Sequence, residues 1–207
     1  MPTLVLASSS PWRRDLLSRL GLPFTWASPE IDETRRTDEA PSALVHRLAL
    51  AKAERLCTDY PAHLIIGSDQ VAVFGDQVLG KPLTATKARA TLRAFSGQRV
   101  SFLTGLALVD TARQTHRVCH ERYDVVFRRL SDAEIHAYVE REQPLACAGS
   151  FRMEGLGITL FERLEGDDPN TLIGLPLIRL CQMLREAGMD PLLPPHDEPQ
   201  VNAQGNS

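Results

Sequence analysis

Cysteine is sparse and unpaired in this sequence. Cys57, Cys119, Cys147 and Cys181 stand far apart with no CxxC spacing among them, which argues against a zinc site or a disulfide framework and for reduced, mostly buried thiols. Long apolar runs are missing too. None reaches the length of a membrane span, and no charged region followed by a hydrophobic core marks a secretory signal. A cytoplasmic protein with no membrane partner is the expectation. Positive charge is not in excess either: the formal net charge of −3 gives no support to binding of nucleic acid. Any basic site has to be a local cluster.

What is present is ample for a core. At 207 residues the chain can form one large domain or two closely joined lobes. Residues 1–193 read as a single α/β domain, because strand and helix patterns alternate around a central hairpin, which points to a mixed sheet. From Pro191 onward proline and polar residues replace apolar periodicity, and residues 194–207 read as a disordered tail.

The segment from Leu4 to Leu17 organises the rest. The strand Leu4-Val5-Leu6-Ala7 runs through Ser8-Ser9-Ser10 into a helix with Ser10 as N-cap and Pro11 in its first position. Leu16, Leu17 and Leu20 form its apolar stripe, and Gly21 can end it in a left-handed conformation. A helix N-terminus favours an anion, so Ser8, Ser9, Arg13 and Arg14 read as a seat for phosphate. The alternative is an ordinary capped helix whose arginines pair with surface carboxylates.

Farther along, Phe24 to Ala27 reads as a strand, followed by an acidic stretch containing Glu30, Asp32 and Glu33. It is either a solvated loop or the source of a carboxylate that returns to the phosphate seat. Pro41 opens a helix reaching about Cys57, on whose buried face Lys52 interrupts Val45, Leu48, Ala49 and Leu56. A lysine there either snorkels to the edge or meets a buried anion. His63 to Gly67 reads as a buried strand with Ser68, Asp69 and Gln70 at its C-terminal end, where ligands sit in open α/β sheets; a turn aspartate is the alternative. Val71 to Phe74 and Gln77 to Leu79 suggest a hairpin closing on Gly80-Lys81-Pro82, and Thr84 caps a helix to about Phe95. Two long strands span Val100 to Val109 and Val118 to Phe127, and Ser131 to Glu134 is a capping box. Ile158 to Phe161 reads as a strand, Asp167 to Thr171 as a loop, and Pro176 opens the last helix.

With these motifs in order, the chain resembles the Maf family of nucleoside triphosphate pyrophosphatases. The matching segments are Leu6 to Arg14, Asp32-Glu33, Ala51-Lys52-Ala53, Gly67 to Gln70, Gly80-Lys81-Pro82, Ala148 to Phe151, Glu154 to Gly157 and Asp168 to Pro176. The resemblance implies an inosine-triphosphatase-like mixed sheet flanked by helices, with two lobes around a nucleotide cleft. It also implies attack of water on the α-phosphorus, release of pyrophosphate, and help from Mg²⁺ or Mn²⁺. Asp69 corresponds to the family's proton acceptor, and Ser8, Arg13, Glu33, Lys52 and Lys81 to its cleft residues. Trp12, Gln70 and Glu154 match the YceF branch, which hydrolyses 7-methyl-GTP, rather than the branch that prefers dTTP and UTP. The other readings are a broader nucleotide pyrophosphatase and a nucleotide-binding regulator of cell division. A homodimer is compatible with these residues.

Chemistry fits this carry-over. A triphosphate calls for convergent cations and N–H donors, which Arg13, Lys52, Lys81 and the start of the first helix supply. Glu33 and Asp69 would divide the work of holding a metal and activating water; sequence leaves open which does which. Trp12 is either a hydrophobic cover or a stacking face for a cationic base, and Glu154 is either a turn residue or an acceptor for guanine N–H groups.

Overall fold

The computed structural model describes residues 3–75 and 77–193, so the expected tail at 194–207 lies outside the described residues. Strand β1 (Thr3–Ala7) has two parallel neighbours, β2 (Phe24–Ala27) and the first half of β3 (His63–Phe74). Strand β3 then runs on past the end of β1, paired antiparallel with β5 (Arg99–Asp110). Strands β6 (Thr115–Phe127) and β7 (Phe161–Glu165) complete the order β2-β1-β3-β5-β6-β7, and β4 (Gln77–Leu79) folds back on the end of β3.

Alternation along the strands sorts the core into layers. Leu4, Leu6, Leu64, Ile66, Leu106 and Leu108 face one side, under helices α1 (Pro11–Ser18) and α6 (Leu177–Glu186). Val5, Ala7, Ile65, Ala107 and Val109 face the other, under α2 (Pro41–Glu54). The far halves of β5 and β6 carry a second, aromatic core of Phe102, Tyr123 and Phe127 with α3 (Ala85–Phe95) and α4 (Asp132–Glu142). The result is the mixed sheet flanked by helices that the strand and helix pattern implied. No helix among the described residues is long and apolar enough to cross a membrane.

Helix α2 lies unusually close to the sheet. A Cβ at Gly67 would come within 2.0 Å of the Ala49 carbonyl oxygen, and one at Gly105 within 2.2 Å of the Val45 carbonyl oxygen. Both glycines are therefore required for the backbone of α2 to rest directly on β3 and β5.

Three expectations need correction. Asp69 does not follow a strand; it sits within β3, which continues because β5 pairs with it without interruption from Leu64 to Val73. The carboxyl-end rule still locates it, since β1 stops opposite Gly67 and leaves the space beyond open. Ile158 to Phe161 is not a strand. Leu156–Leu160 is a 3₁₀ turn, tightened where the Gly157 N–H donates to the Arg152 carbonyl at 3.1 Å, and the strand begins at Phe161. The Asp167 to Thr171 loop includes the start of a short helix, α5 (Asn170–Ile173).

Candidate active site

A cavity of about 600 Å³ opens beyond the end of β1, lined by residues from α1, α2, β3, the loop before α2, and the segments around Lys81 and Arg152. Ser8, Trp12, Arg13, Glu33, Lys52, Asp69, Gln70, Lys81 and Glu154 all line it. All nine expected site residues thus converge.

Helix α1 starts as its sequence dictates: the Ser10 hydroxyl accepts from the Arg13 N–H at 3.4 Å, with Pro11 in the first turn. The buried Ser8 hydroxyl accepts from the Ser10 N–H at 3.1 Å and faces Arg13 Nη1 at 3.5 Å. The Arg13 guanidinium is fixed from behind, its Nε donating to the Gly174 carbonyl at 2.8 Å. Burial pulls its pKa down, while Asp69 and Glu33 pull it back up. Arg14 does not join the seat. Its guanidinium lies 4.1 Å from the centre of the Trp26 ring on β2, because one position further round the helix points it away from the cavity.

Lys52 meets its anions. Its ammonium lies 2.7 Å from Asp69 Oδ1 and 2.8 Å from Glu33 Oε1, and the residue is only 7% exposed. The close seating of α2 on Gly67 makes this reach possible, since Lys52 is one turn beyond Ala49 and Asp69 two residues beyond Gly67. Of the acidic loop, Glu33 returns to the site, whereas Asp32 accepts from the Thr34 N–H at 2.9 Å in a local turn. Arg47 of α2 ties that loop down through Glu39, at 2.7 and 2.8 Å, and through the Thr34 carbonyl at 3.1 Å. The Arg47 hydrogen bond holds the Glu39 carboxyl down to about 2. Partial burial alone would raise the Glu33 carboxyl; the hydrogen bond and charge of Lys52, with Lys81 and Arg13 behind, outweigh it and hold Glu33 below its ordinary value.

The segment Asp168 to Pro176 is structural scaffolding, a role the sequence did not announce. The Asp168 carboxylate accepts from Asn170 N–H and Ile178 N–H, both at 2.8 Å, and so caps α5 and α6 together. Gln70 Nε2 donates to the Thr171 carbonyl at 2.7 Å, to Thr104 Oγ1 at 2.9 Å and to the Leu172 carbonyl at 3.2 Å. Its amide nitrogen is thereby engaged with the protein, and its carbonyl oxygen is the group left for a ligand. The Ser68 hydroxyl lies between the Gly105 and Gly174 carbonyls, at 2.9 and 2.8 Å.

Around Trp12 stands a second cluster, of which sequence reading found only part. The Arg152 guanidinium lies 5.2 Å from the centre of the indole ring and pairs with Glu142 at 3.1 Å. Glu154 is open to the cavity, and partial burial pushes its carboxyl up, Glu142 adding repulsion while Arg152 opposes. A cation of the protein itself thus already sits over the Trp12 ring.

Asp69 and Glu33 each give one oxygen to Lys52 and keep a second. Two hard oxygen donors suit a divalent cation whose remaining ligands are water and phosphate oxygens. No cluster of three or more His, Cys, Asp or Glu side chains that could hold a metal ion assembles among the described residues.

A family model described as Maf-like protein matches residues 3–187. A 7-methyl-GTP pyrophosphatase of Chromohalobacter salexigens is 71% identical over 192 residues, covering 93% of this chain and 100% of that protein. Among solved structures, a Ham1 protein from Coxiella burnetii superposes with a TM-score of 0.51 at 17% identity, over 90% of this chain and 100% of that one. The Staphylococcus aureus Ham1 protein gives the same TM-score of 0.51 at 12% identity, over 90% and 99%. The two Ham1 structures share the fold.

Proposed function

This chain belongs to the Maf family, and from that premise we propose that it is a nucleotide pyrophosphatase that hydrolyses 7-methyl-GTP to 7-methyl-GMP and pyrophosphate. Such an enzyme would clear a modified nucleotide from the cytoplasmic pool. The observation that carries the reading is the buried ammonium of Lys52 bridging Asp69 and Glu33 in a cavity it shares with Ser8, Arg13 and Lys81. The 71% identical relative named for this activity supports the substrate.

In this reading Arg13, Lys81 and the N–H groups at the start of α1 bind the phosphate chain, as charge-assisted donors should. Asp69 accepts the proton of the water that attacks the α-phosphorus; the new P–O bond forms as the bond to the bridging oxygen breaks, and pyrophosphate leaves. Lys52 keeps Asp69 oriented through the 2.7 Å contact. Glu33 and Asp69 would hold the Mg²⁺ or Mn²⁺ that, when bound, neutralises phosphate charge. At the other end of the nucleotide, N7-methylation makes guanine cationic. An indole face such as Trp12 favours a desolvated cation by about 2 kcal/mol, and Glu154 can accept from the guanine N1–H and exocyclic amine.

Pyrophosphate release measured over a panel of canonical and N-methylated triphosphates, with Mg²⁺ or Mn²⁺, tests the proposal. Preference for 7-methyl-GTP is expected, with turnover abolished and nucleotide binding retained in Asp69→Asn. Equal rates across the panel would replace the proposal with a broad pyrophosphatase, and a fully active Asp69→Asn would remove Asp69 from the mechanism.

A further inference from the structure

Glu142 is the last residue of α4, and its side chain is only 10% exposed. A carboxylate is seldom buried so far without a reason, since an unpaired charge in that position is costly. Its partner is Arg152, whose Nε and Nη2 lie 3.2 and 3.1 Å from Glu142 Oε2. The same carboxylate rests against the backbone of Gly155, where a Cβ would come within 2.1 Å of Oε2. One helical turn earlier, the Tyr138 hydroxyl accepts from the Arg152 N–H at 3.0 Å. Helix α4 thus grips the loop carrying Arg152 and Glu154 at three points. The consequence is an ion pair set beside Trp12, with the Arg152 guanidinium over the ring and Glu154 open to the same cavity, which Lys81 also lines and where Arg19 acts on Glu154. The Glu142–Arg152 pair is neutral as a unit, so losing either partner changes the charge beside the ring by one.

We propose that Glu142 and Arg152 are specificity-determining residues whose paired charges set how readily the site beside Trp12 takes a purine base carrying one positive charge. The inference rests on the 7-methyl-GTP reading above and deepens it. Glu142 acts as a positioning residue through Arg152 and through its field; it does not touch the base. A neutral guanine responds little to one unit of charge beside the ring, whereas a cationic one is favoured when that unit is negative and disfavoured when it is positive.

The measurement is the ratio of kcat/KM for 7-methyl-GTP to kcat/KM for GTP, with melting curves run alongside. Glu142→Gln leaves the Arg152 charge unpaired beside the ring and should lower the ratio about three- to tenfold, the size of one charge acting through partly hydrated protein. Arg152→Met removes that positive charge and should raise the ratio by a similar factor, while the Glu142 carboxylate it strands should show as a lower Tm in the melting curves. Arg152→Lys keeps the charge but loses the two-point contact with Glu142 and the planar stack on Trp12, so it should move the ratio less than Arg152→Met does. A purely structural role would instead depress both substrates together, and ratios that move in the same direction in Glu142→Gln and Arg152→Met would overturn the proposal. If Glu142→Gln fails to fold, the comparison of Arg152→Met with Arg152→Lys decides alone. A ratio near one in the unmodified protein sinks the 7-methyl-GTP reading, while opposite shifts in the two variants would still support the charge setting.

Discussion

Replacing Lys52 with methionine preserves most of the side chain's bulk and removes the ammonium that two carboxylates share. Breaking a fully buried ion pair by deleting one partner costs about 3–5 kcal/mol, because the other charge is left uncompensated. Here the Asp69 side chain is 9% exposed but that of Glu33 is 51% exposed, so solvent screens part of the loss and about 2 kcal/mol is expected at neutral pH. For a chain of this length that is a fall in Tm of about 4–8 °C. The pH dependence has a definite sign. The folded protein holds the Glu33 carboxyl below its ordinary value, so its contribution is complete above the unfolded carboxyl pKa and is lost as pH falls through the lower folded value. The gap between wild type and Lys52→Met should therefore be widest near pH 7 and close in acid. Urea denaturation across that range, with Lys52→Met, Asp69→Asn and the double variant, is the assay. In the double variant a neutral amide replaces the stranded carboxylate, which should recover at least half of the deficit. A double variant no more stable than Lys52→Met, or a deficit that grows in acid, would refute the account.

Gly67→Ala would place a Cβ 2.0 Å from the Ala49 carbonyl oxygen; it should cost about 3 kcal/mol by lifting α2 off the sheet, and kcat should fall as Lys52 withdraws from Asp69, read by denaturation and steady-state kinetics. Arg14→Ala should leave turnover unchanged and cost at most about 1 kcal/mol, since the guanidinium covers Trp26 outside the cavity; a fall in kcat/KM matching that of Arg13→Ala would return Arg14 to the phosphate seat. Ser131→Ala removes half of a capping box and should lower Tm by about 2–4 °C at pH 7. Because Ser131 and Arg128 hold the Glu134 carboxyl down to about 2, part of that deficit should fade as pH drops from about 4 toward 2 in melting curves.

What was legible in the sequence is what burial makes expensive. Lys52 stood out because a charge on an apolar helix face needs a partner, and Asp69 and Glu33 are those partners. Capping was equally readable at Ser10, Thr84 and Ser131, because each hydroxyl serves an N–H three residues away on the same short piece of chain. Arg13 and Arg14 could not be separated in one dimension: they are chemically alike, and a rotation of one helix position sends one to the Gly174 carbonyl and the other to Trp26. Strand β7 hid for a related reason. As an edge strand it carries Glu162, Arg163 and Glu165 in ion pairs, so the apolar run before it drew the eye while the true strand read as polar. Hardest to see were the arrangements made by backbone. The seating of α2 on Gly67 and Gly105, the Gly174 carbonyl behind Arg13, and the Gly155 backbone under Glu142 leave only scattered glycines in the sequence. A glycine tells where something comes close without telling what does. The charges of the candidate site were therefore readable one by one, while the geometry that brings Arg152 over Trp12 depends on a helix and a loop whose contact no local pattern encodes.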